Sequence, residues 1–319
     1  MKLFIQIPCY NEEKYLPETI ETLPEKIQGV DKIEYLVIDD GSSDNTAEVA
    51  KKCGVTHIIQ LPEHAGLARA FITGIEYCLH KNADIIVNTD ADNQYCSDDI
   101  EKLVKPILEN KADLVIGARP IDKIKNFSFM KKILQKFGSM VVRIISNSEI
   151  EDTTSGFRAL SRLAASKISV FSNYTYTLET IIQAGLSGIP MVSIPIRVNK
   201  QIRPSKLIKN VPDYILKSIF TMFRIFLYYK PLRFFVIISI IFNIPGLALG
   251  IRYIYILAKG IPGQHIQSLI LAAILIITGF LFFVLGLIGD LISVNRRLLM
   301  EIKSEQRLSG AKGTGETKK

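Results

Sequence analysis

Over the first 120 residues, short Val/Ile/Leu runs alternate with stretches in which apolar side chains recur every three to four positions. The runs predict strands at 3–8, 33–39, 56–60, 85–89 and 113–117. The intervening stretches predict amphipathic helices near 15–23, 46–53, 67–80 and 98–109. Continuous apolar strands separated by helices imply an α/β domain with a mostly parallel sheet, covered on both faces.

The pattern changes after residue 120. From 127 to 145, apolar Phe129, Ile133, Phe137, Met140, Val141 and Ile144 are interleaved with Lys131, Lys132, Lys136 and Arg143. That is the pattern of a helix lying on a membrane surface, and equally of a packed helix with a solvated basic face. A second such stretch covers 207–229, with Leu216, Ile219, Phe220, Phe223 and Phe226 against Lys209, Lys217 and Arg224. Two runs at 234–257 and 266–291 follow, each long enough to supply the roughly 20 apolar residues that cross a hydrocarbon core. Gly260 to Gly263 makes the turn between them.

Lys230 and Arg233 precede the first span, and Arg296, Arg297 and Lys303 follow the second, so the positive-inside bias places both outer flanks in the cytoplasm. Arg252 and Asp290 lie near span ends, where charged side chains reach the interface. The tail from Ser304 lacks apolar residues to bury and is expected to be disordered. The expected organisation is therefore an α/β domain at 1–206 containing the helix at 127–146, a juxtamembrane helix at 207–231, two membrane helices at 232–292, and a basic cytoplasmic tail at 293–319, partly disordered.

Composition agrees with a membrane protein. The 319 residues are 48% hydrophobic and 22% charged, with a mean hydropathy of +0.23, which excludes a disordered chain. Residues 1–196 carry 21 Lys and Arg against 26 Asp and Glu, while 197–319 carry 18 against 5. The excess of positive charge flanks the apolar runs instead of forming a polar patch, which suits an anionic membrane surface and not nucleic acid. Cys9, Cys53, Cys78 and Cys96 form no CxxC pair and read as reduced core thiols. The apolar run at the N-terminus is too short for the core of a signal peptide, so the first domain is expected in the cytoplasm.

Three polar clusters stand at predicted strand ends. Pro8, Tyr10, Asn11 and Glu12 follow the first strand, and Asp39 and Asp40 close the second. In open α/β sheets ligands bind beyond the C-terminal strand ends, so both clusters are expected to line one crevice. Asp and Asn there can accept hydrogen bonds from a nucleobase or ribose, and Tyr10 can cover the base; Asp40-Gly41-Ser42 reads equally as turn chemistry, and Ser43, Asp44 or Asn45 as a helix cap. The fourth strand ends in Thr89-Asp90-Ala91-Asp92-Asn93-Gln94, where alternation in an extended chain would put Asp90 and Asp92 on one side. Two carboxylates and an amide oxygen suit a hard divalent ion that also holds a diphosphate.

These clusters, in this order, resemble the family 2 glycosyltransferases of GT-A fold, across roughly residues 1–230. The chain is most similar to the polyprenyl-phosphate group, which includes dolichol-phosphate mannose synthase, through Asp-Ala-Asp-x-Gln, Val115 to Arg119, Asp152 to Arg158, and Arg203-Pro204-Ser205-Lys206. The resemblance implies a nucleotide-sugar site at Pro8, Tyr10, Asn11, Glu12, Asp39, Asp40, Asp90, Ala91 and Asp92. It implies Mg2+ or Mn2+ on Asp90, Asp92 and Gln94, and a lipid phosphate on Arg119, Ser139 and Arg203, with Asp90, Asp92, Arg119 and Arg203 carrying the catalysis. The stretch from Glu63 to Arg69 departs from the group, which commonly has Lys or Asn and a second Gly there; His64 reads either as a residue near the donor diphosphate or as a solvated loop residue, and Glu179 either as a carboxylate beside the acceptor region or as one matched to the helix dipole.

The expected activity is transfer of one sugar, with inversion, from a UDP- or GDP-sugar to a dolichyl or undecaprenyl phosphate on the cytoplasmic face. A processive polysaccharide synthase shares the domain, but its Gln-x-x-Arg-Trp motif cannot occur in a chain without Trp. A non-catalytic nucleotide-sugar-binding scaffold is the other alternative. Gly246, Gly250, Gly279, Gly286 and Gly289 offer small-residue faces through which copies of the chain can associate.

Overall fold

The computed structural model describes residues 1–120, 140, 142–143, 146, 148–170, 176–199, 223–224, 227–259 and 266–313. The chain forms two compact units, one of Met1–Leu216 with Met300–Lys319 and the other of Lys217–Leu299.

The first unit is built on a seven-stranded sheet in the order β3-β2-β1-β4-β6-β5-β7. Its strands are β1 (Lys2–Cys9), β2 (Lys32–Asp39), β3 (His57–Gln60), β4 (Ile85–Asn88), β5 (Leu114–Ala118), β6 (Arg158–Ser161) and β7 (Met191–Pro195). The helices are α1 (Leu16–Glu21), α2 (Thr46–Lys52), α3 (Leu67–His80), α4 (Asp99–Leu108), α5 (Arg162–Lys167) and α6 (Thr177–Leu186). Each of the five predicted strands and four predicted helices of the first 120 residues is present. β6 alone runs against the rest, antiparallel to both β4 and β5. No alternation announces it, because all but its last residue are buried.

β1 is buried from Leu3 onward, and α3 turns Ala68, Phe71, Ile72, Ile75, Cys78 and Leu79 inward over the sheet face that carries Gln6 and Ile38. That spacing is the inward stripe of a packed helix. A Cβ on Gly74 of α3 would collide with Gln6 and Ile38, so this glycine lets the helix lie directly on β1 and β2. The order reverses between β1 and β4, and the C-terminal ends of β1, β2 and β4 open at that switch point.

The second unit contains α7 (Pro231–Ala258) and most of α8 (Ile266–Gly313). Both are long and apolar enough to cross a membrane, and most of their apolar side chains are exposed. Four of the five glycines pack inside this helix pair. Cβ atoms at Gly246, Gly279, Gly286 and Gly289 would strike Ile276, Asn243, Phe235 and Pro231 respectively, and only Gly250 faces open space.

The tail requires a correction. The helix does not end near Ser304 but runs to Gly313. Residues from Met300 belong to the first unit, where Arg307 donates to the Ile168 carbonyl at 2.6 Å and to Glu76 at 2.6 Å. Polar anchoring by Arg307, with Ser304 hydrogen-bonded to Ser166 at 3.2 Å, supplies the order that apolar burial does not. Both amphipathic stretches fall largely outside the described residues, as does the 260–263 turn.

Candidate active site

The site is assembled from loops that leave neighbouring strand ends. Cys9 of β1 pairs in register with Asp39 of β2, and Gln6 with Asn88 of β4. The β1 and β2 loops are then laced together. The Asn11 amide donates to Ser42 Oγ at 2.9 Å, and the Ser43 amide to Asn11 Oδ1 at 2.8 Å. The Glu12 amide donates to Thr46 Oγ1 at 2.9 Å. Asn11 takes a positive φ of 54°, a region asparagine tolerates better than most residues. These bonds give Asn11 and the Glu12 backbone a scaffolding part that the sequence reading did not foresee.

The two adjacent aspartates divide their work. Asp39 accepts the Ser42 amide at 3.0 Å. Asp40 is turned into the loop before α3, where its two oxygens accept the amides of Ala65 and Gly66, each at 2.9 Å. His64 Nδ1 lies 2.9 Å from Asp40 Oδ2, and the His64 ring stacks on Tyr10 with centroids 3.9 Å apart. Asp40 thus holds the stretch that departs from the resembling group, and His64 is an organised residue beside Tyr10, not a freely solvated one.

Asp90 and Asp92 follow β4, but not on an extended chain. Residues 91–93 form a turn with Asn93 at a positive φ of 50°, and the Gln94 amide donates to Asp92 Oδ1 at 3.3 Å. An asparagine able to enter the left-handed region ends the alternation the strand would have continued. The turn is pinned from outside by Asn199, whose amide donates to the Asn93 carbonyl at 2.9 Å and whose backbone N–H donates to the Gln94 carbonyl at 2.9 Å. Asn93 in turn donates to Glu18 of α1 at 3.0 Å. Nothing in the sequence marks Asn199 for this part.

Beneath the turn lies a buried polar layer. Gln6 donates to Asn88 at 2.9 Å, and Asn88 donates to the Gly156 carbonyl at 2.9 Å and the Tyr176 hydroxyl at 3.0 Å. The Gly156 amide donates to the Tyr95 hydroxyl at 3.2 Å. Arg158 is fully buried over the Tyr176 ring, 5.1 Å from its centroid, and donates to the Thr177 carbonyl, Thr180 Oγ1 and the Ser155 carbonyl.

Burial and the neighbouring Asp92 push the Asp90 carboxyl up to about 6, against the opposing pull of Arg119, Tyr95 and Arg158. That balance is what uncompensated negative charge produces. A hard divalent cation fits it, because Asp90, Asp92 and Gln94 offer oxygen donors. Among the described residues no group of three or more His, Cys, Asp or Glu side chains could enclose an ion.

Arg119 stands at the end of β5 and is held by Asp152. Its Nε donates to Asp152 Oδ2 at 2.7 Å, and its Nη2 to Asp152 Oδ1 at 3.1 Å and Thr154 Oγ1 at 2.8 Å. This ion pair fixes a cation close enough to Asp90 to lower that carboxyl. Ser139 and Arg203 lie outside the described residues.

Known proteins resemble this chain over the same domain. Residues 4–169 match the glycosyl transferase family 2 model. An uncharacterised protein of Methanocaldococcus jannaschii is 38% identical over 205 residues, covering 61% of this chain and 81% of its own. The polyprenol monophosphomannose synthase of Mycolicibacterium smegmatis is 26% identical over 206 residues, 61% of this chain and 76% of its own. Glucosyl-3-phosphoglycerate synthase of Mycobacterium tuberculosis, crystallised with Mg2+ and uridine diphosphate, superposes with a TM-score of 0.52 at 18% identity, over 69% of this chain and 79% of its own. That likeness shows a shared GT-A type of fold. With the strand-end clusters in place and more than half of the chain matched, the protein belongs to glycosyl transferase family 2.

Proposed function

We propose that the protein transfers a single sugar from a UDP- or GDP-sugar to a polyprenyl phosphate at the cytoplasmic face of a membrane. The observation that carries this reading is the Asp90–Asp92 turn at the switch point of a family 2 domain whose chain also has two apolar helices of membrane-spanning length. The lipid-phosphate sugar transferase among its relatives supports the acceptor class.

Asp39 and Tyr10 stand where a nucleoside would lie, and Asp90, Asp92 and Gln94 where its diphosphate and a Mg2+ or Mn2+ ion would be held. The metal supplies charge stabilisation for the departing diphosphate. A phosphate oxygen of the lipid attacks the anomeric carbon as the bond from that carbon to the diphosphate oxygen breaks, and the electron pair leaves with the diphosphate. The attacking phosphate has a second pKa of about 6 and is largely ionised at neutral pH, so no side chain need remove a proton. Arg119, together with Ser139 and Arg203, would offset repulsion between the two anions by charge-assisted hydrogen bonds. Attack opposite the leaving group inverts the sugar.

The test incubates the purified full chain with Mg2+ or Mn2+, radiolabelled UDP- and GDP-sugars, and undecaprenyl or dolichyl phosphate, then counts label in the organic phase. Metal-dependent label that vanishes in Asp92→Ala supports the reading. Donor binding without lipid label from any donor would favour a scaffold.

A further inference from the structure

We propose that Tyr95 is a positioning residue for Asp90, with its hydroxyl locked by the Gly156 amide so that the carboxylate is presented to a divalent ion in one orientation. The inference rests on the reading of Asp90 as a metal-holding carboxylate.

Tyr95 is buried, its ring stacked on Phe157 with centroids 4.9 Å apart and the planes within 8°. The ring therefore cannot swing, and the hydroxyl stays where the Gly156 amide meets it at 3.2 Å. Because that amide donates, the hydroxyl proton is free to point elsewhere, and the Asp90 carboxylate, which lies against the same Gly156, accepts it. Tyr95 also closes the turn that carries both aspartates, through its bridge to Val198.

Gly156 bounds the carboxylate on the other side. A Cβ there would lie 2.9 Å from Asp90 Oδ1 and 3.3 Å from Oδ2, so the absence of a side chain is what leaves the carboxylate its place. The glycine is fixed in turn by Asn88, which holds its carbonyl at 2.9 Å, and Gln6 holds Asn88. Below it Arg158 puts a buried guanidinium under the site, hydrogen-bonded to Ser155 and α6 and joined to no carboxylate among the described residues. Asp90 thus sits between a donor from the segment after β4, a steric wall from the loop before β6 and a standing positive charge at the start of β6. Outer partners of this kind orient a ligand without touching the ion, and their loss weakens metal affinity by about 10- to 100-fold.

Two variants separate position from folding. Tyr95→Phe keeps the stacked ring and deletes the hydroxyl, and Gly156→Ala pushes the carboxylate without changing any charge. Mn2+ affinity is measured on the full chain in detergent, from the electron paramagnetic resonance signal of free Mn2+ in the presence of UDP or GDP, beside metal-free nucleotide affinity and thermal melting. Both variants are expected to bind Mn2+ about tenfold or more weakly, with metal-free nucleotide affinity and melting close to those of the parent. Parent protein that binds Mn2+ while both variants bind it equally well overturns this inference alone. Loss of Mn2+ binding only in proportion to lost folding also overturns it. Parent protein that binds no Mn2+ with either nucleotide overturns the metal reading and this inference with it.

Discussion

Arg119 and Asp152 form a two-pronged ion pair, Nε to Oδ2 at 2.7 Å and Nη2 to Oδ1 at 3.1 Å, with Asp152 almost wholly buried. Burial alone would raise the Asp152 carboxyl, but Arg119 and Thr154 hold it below the usual range. The pair therefore presents Arg119 as a fixed cation beside Asp90, where a flexible arginine would have to lose side-chain entropy on meeting an anion. Removing one member of a buried pair typically costs about 3–5 kcal/mol, since the other charge is left uncompensated. Asp152→Ala is expected to lower the melting temperature and abolish transfer. Arg119→Lys should keep most of the stability and lose activity, because an ammonium cannot reproduce the fork. A stable Arg119→Lys protein with parental kcat/KM would contradict this.

Glu34 sets part of the acid stability. Its carboxyl is opposed by burial, yet hydrogen bonds from Lys32 and Lys2 and the charge of Lys2, with a further bond from His57, hold it at about 2, below the ordinary 4.5. A carboxylate depressed on folding contributes stability that is complete above its unfolded pKa and is lost as pH falls through its folded one. The window is therefore about pH 4.5 down to about 2. Lys32 is two-thirds exposed, so solvent screening holds the contribution to about 1 kcal/mol. Urea unfolding of Glu34→Gln should show lower stability than the parent at pH 7, and the difference should close towards pH 2. A constant difference across that range would remove Glu34 from the account.

The elements that position the site were legible because hydrophobic period and strand-end chemistry coincide there. β1, β2 and β4 are apolar runs that stop at Cys9, Asp39 and Asn88, and polar clusters follow each one. What stayed hidden depends on contacts between distant positions. Asn199 pins the aspartate turn from 106 residues beyond Asn93. β6 pairs antiparallel with β4 from 73 residues away, so no local pattern fixes its direction. That Asp40 accepts the amides of Ala65 and Gly66, 25 and 26 residues away, is visible only in the fold. The order of the tail is hidden for a related reason: polar contacts of Lys303, Ser304 and above all Arg307, not an apolar stripe, hold it.

That arginine can be tested directly. Arg307 is nearly buried and donates to the carbonyls of Ser166 in the last turn of α5 and of Ile168 just after it, as well as to Glu76 of α3. Cations at a helix C-terminus satisfy carbonyls that have no partner within the helix. A hydrogen bond from a charged group contributes about 1.5–3 kcal/mol, so Arg307→Ala should destabilise the first unit by roughly 2–4 kcal/mol. Hydrogen exchange should show faster opening at 166–169 and in the 300–308 segment. Glu76→Gln should cost less, because the two carbonyls keep their donor. Unchanged exchange in Arg307→Ala would mean that the segment is held by other contacts.

Tyr10 is exposed on one side and covered on the other by the His64 ring, and His64 is itself fixed by its 2.9 Å contact with Asp40. An aromatic ring backed in this way is pre-organised for stacking, since little freedom remains to be lost when a flat ligand arrives. His64→Ala removes the backing but leaves Asp40 bonded to the Ala65 and Gly66 amides, so the loop before α3 should keep its course. The expected result is a threefold to tenfold rise in donor KM, about 1 kcal/mol of binding, with kcat within about twofold. His64→Phe should recover part of the loss, because it restores the stacked face without the contact to Asp40. A fall in kcat with unchanged KM would instead place His64 at the reacting diphosphate.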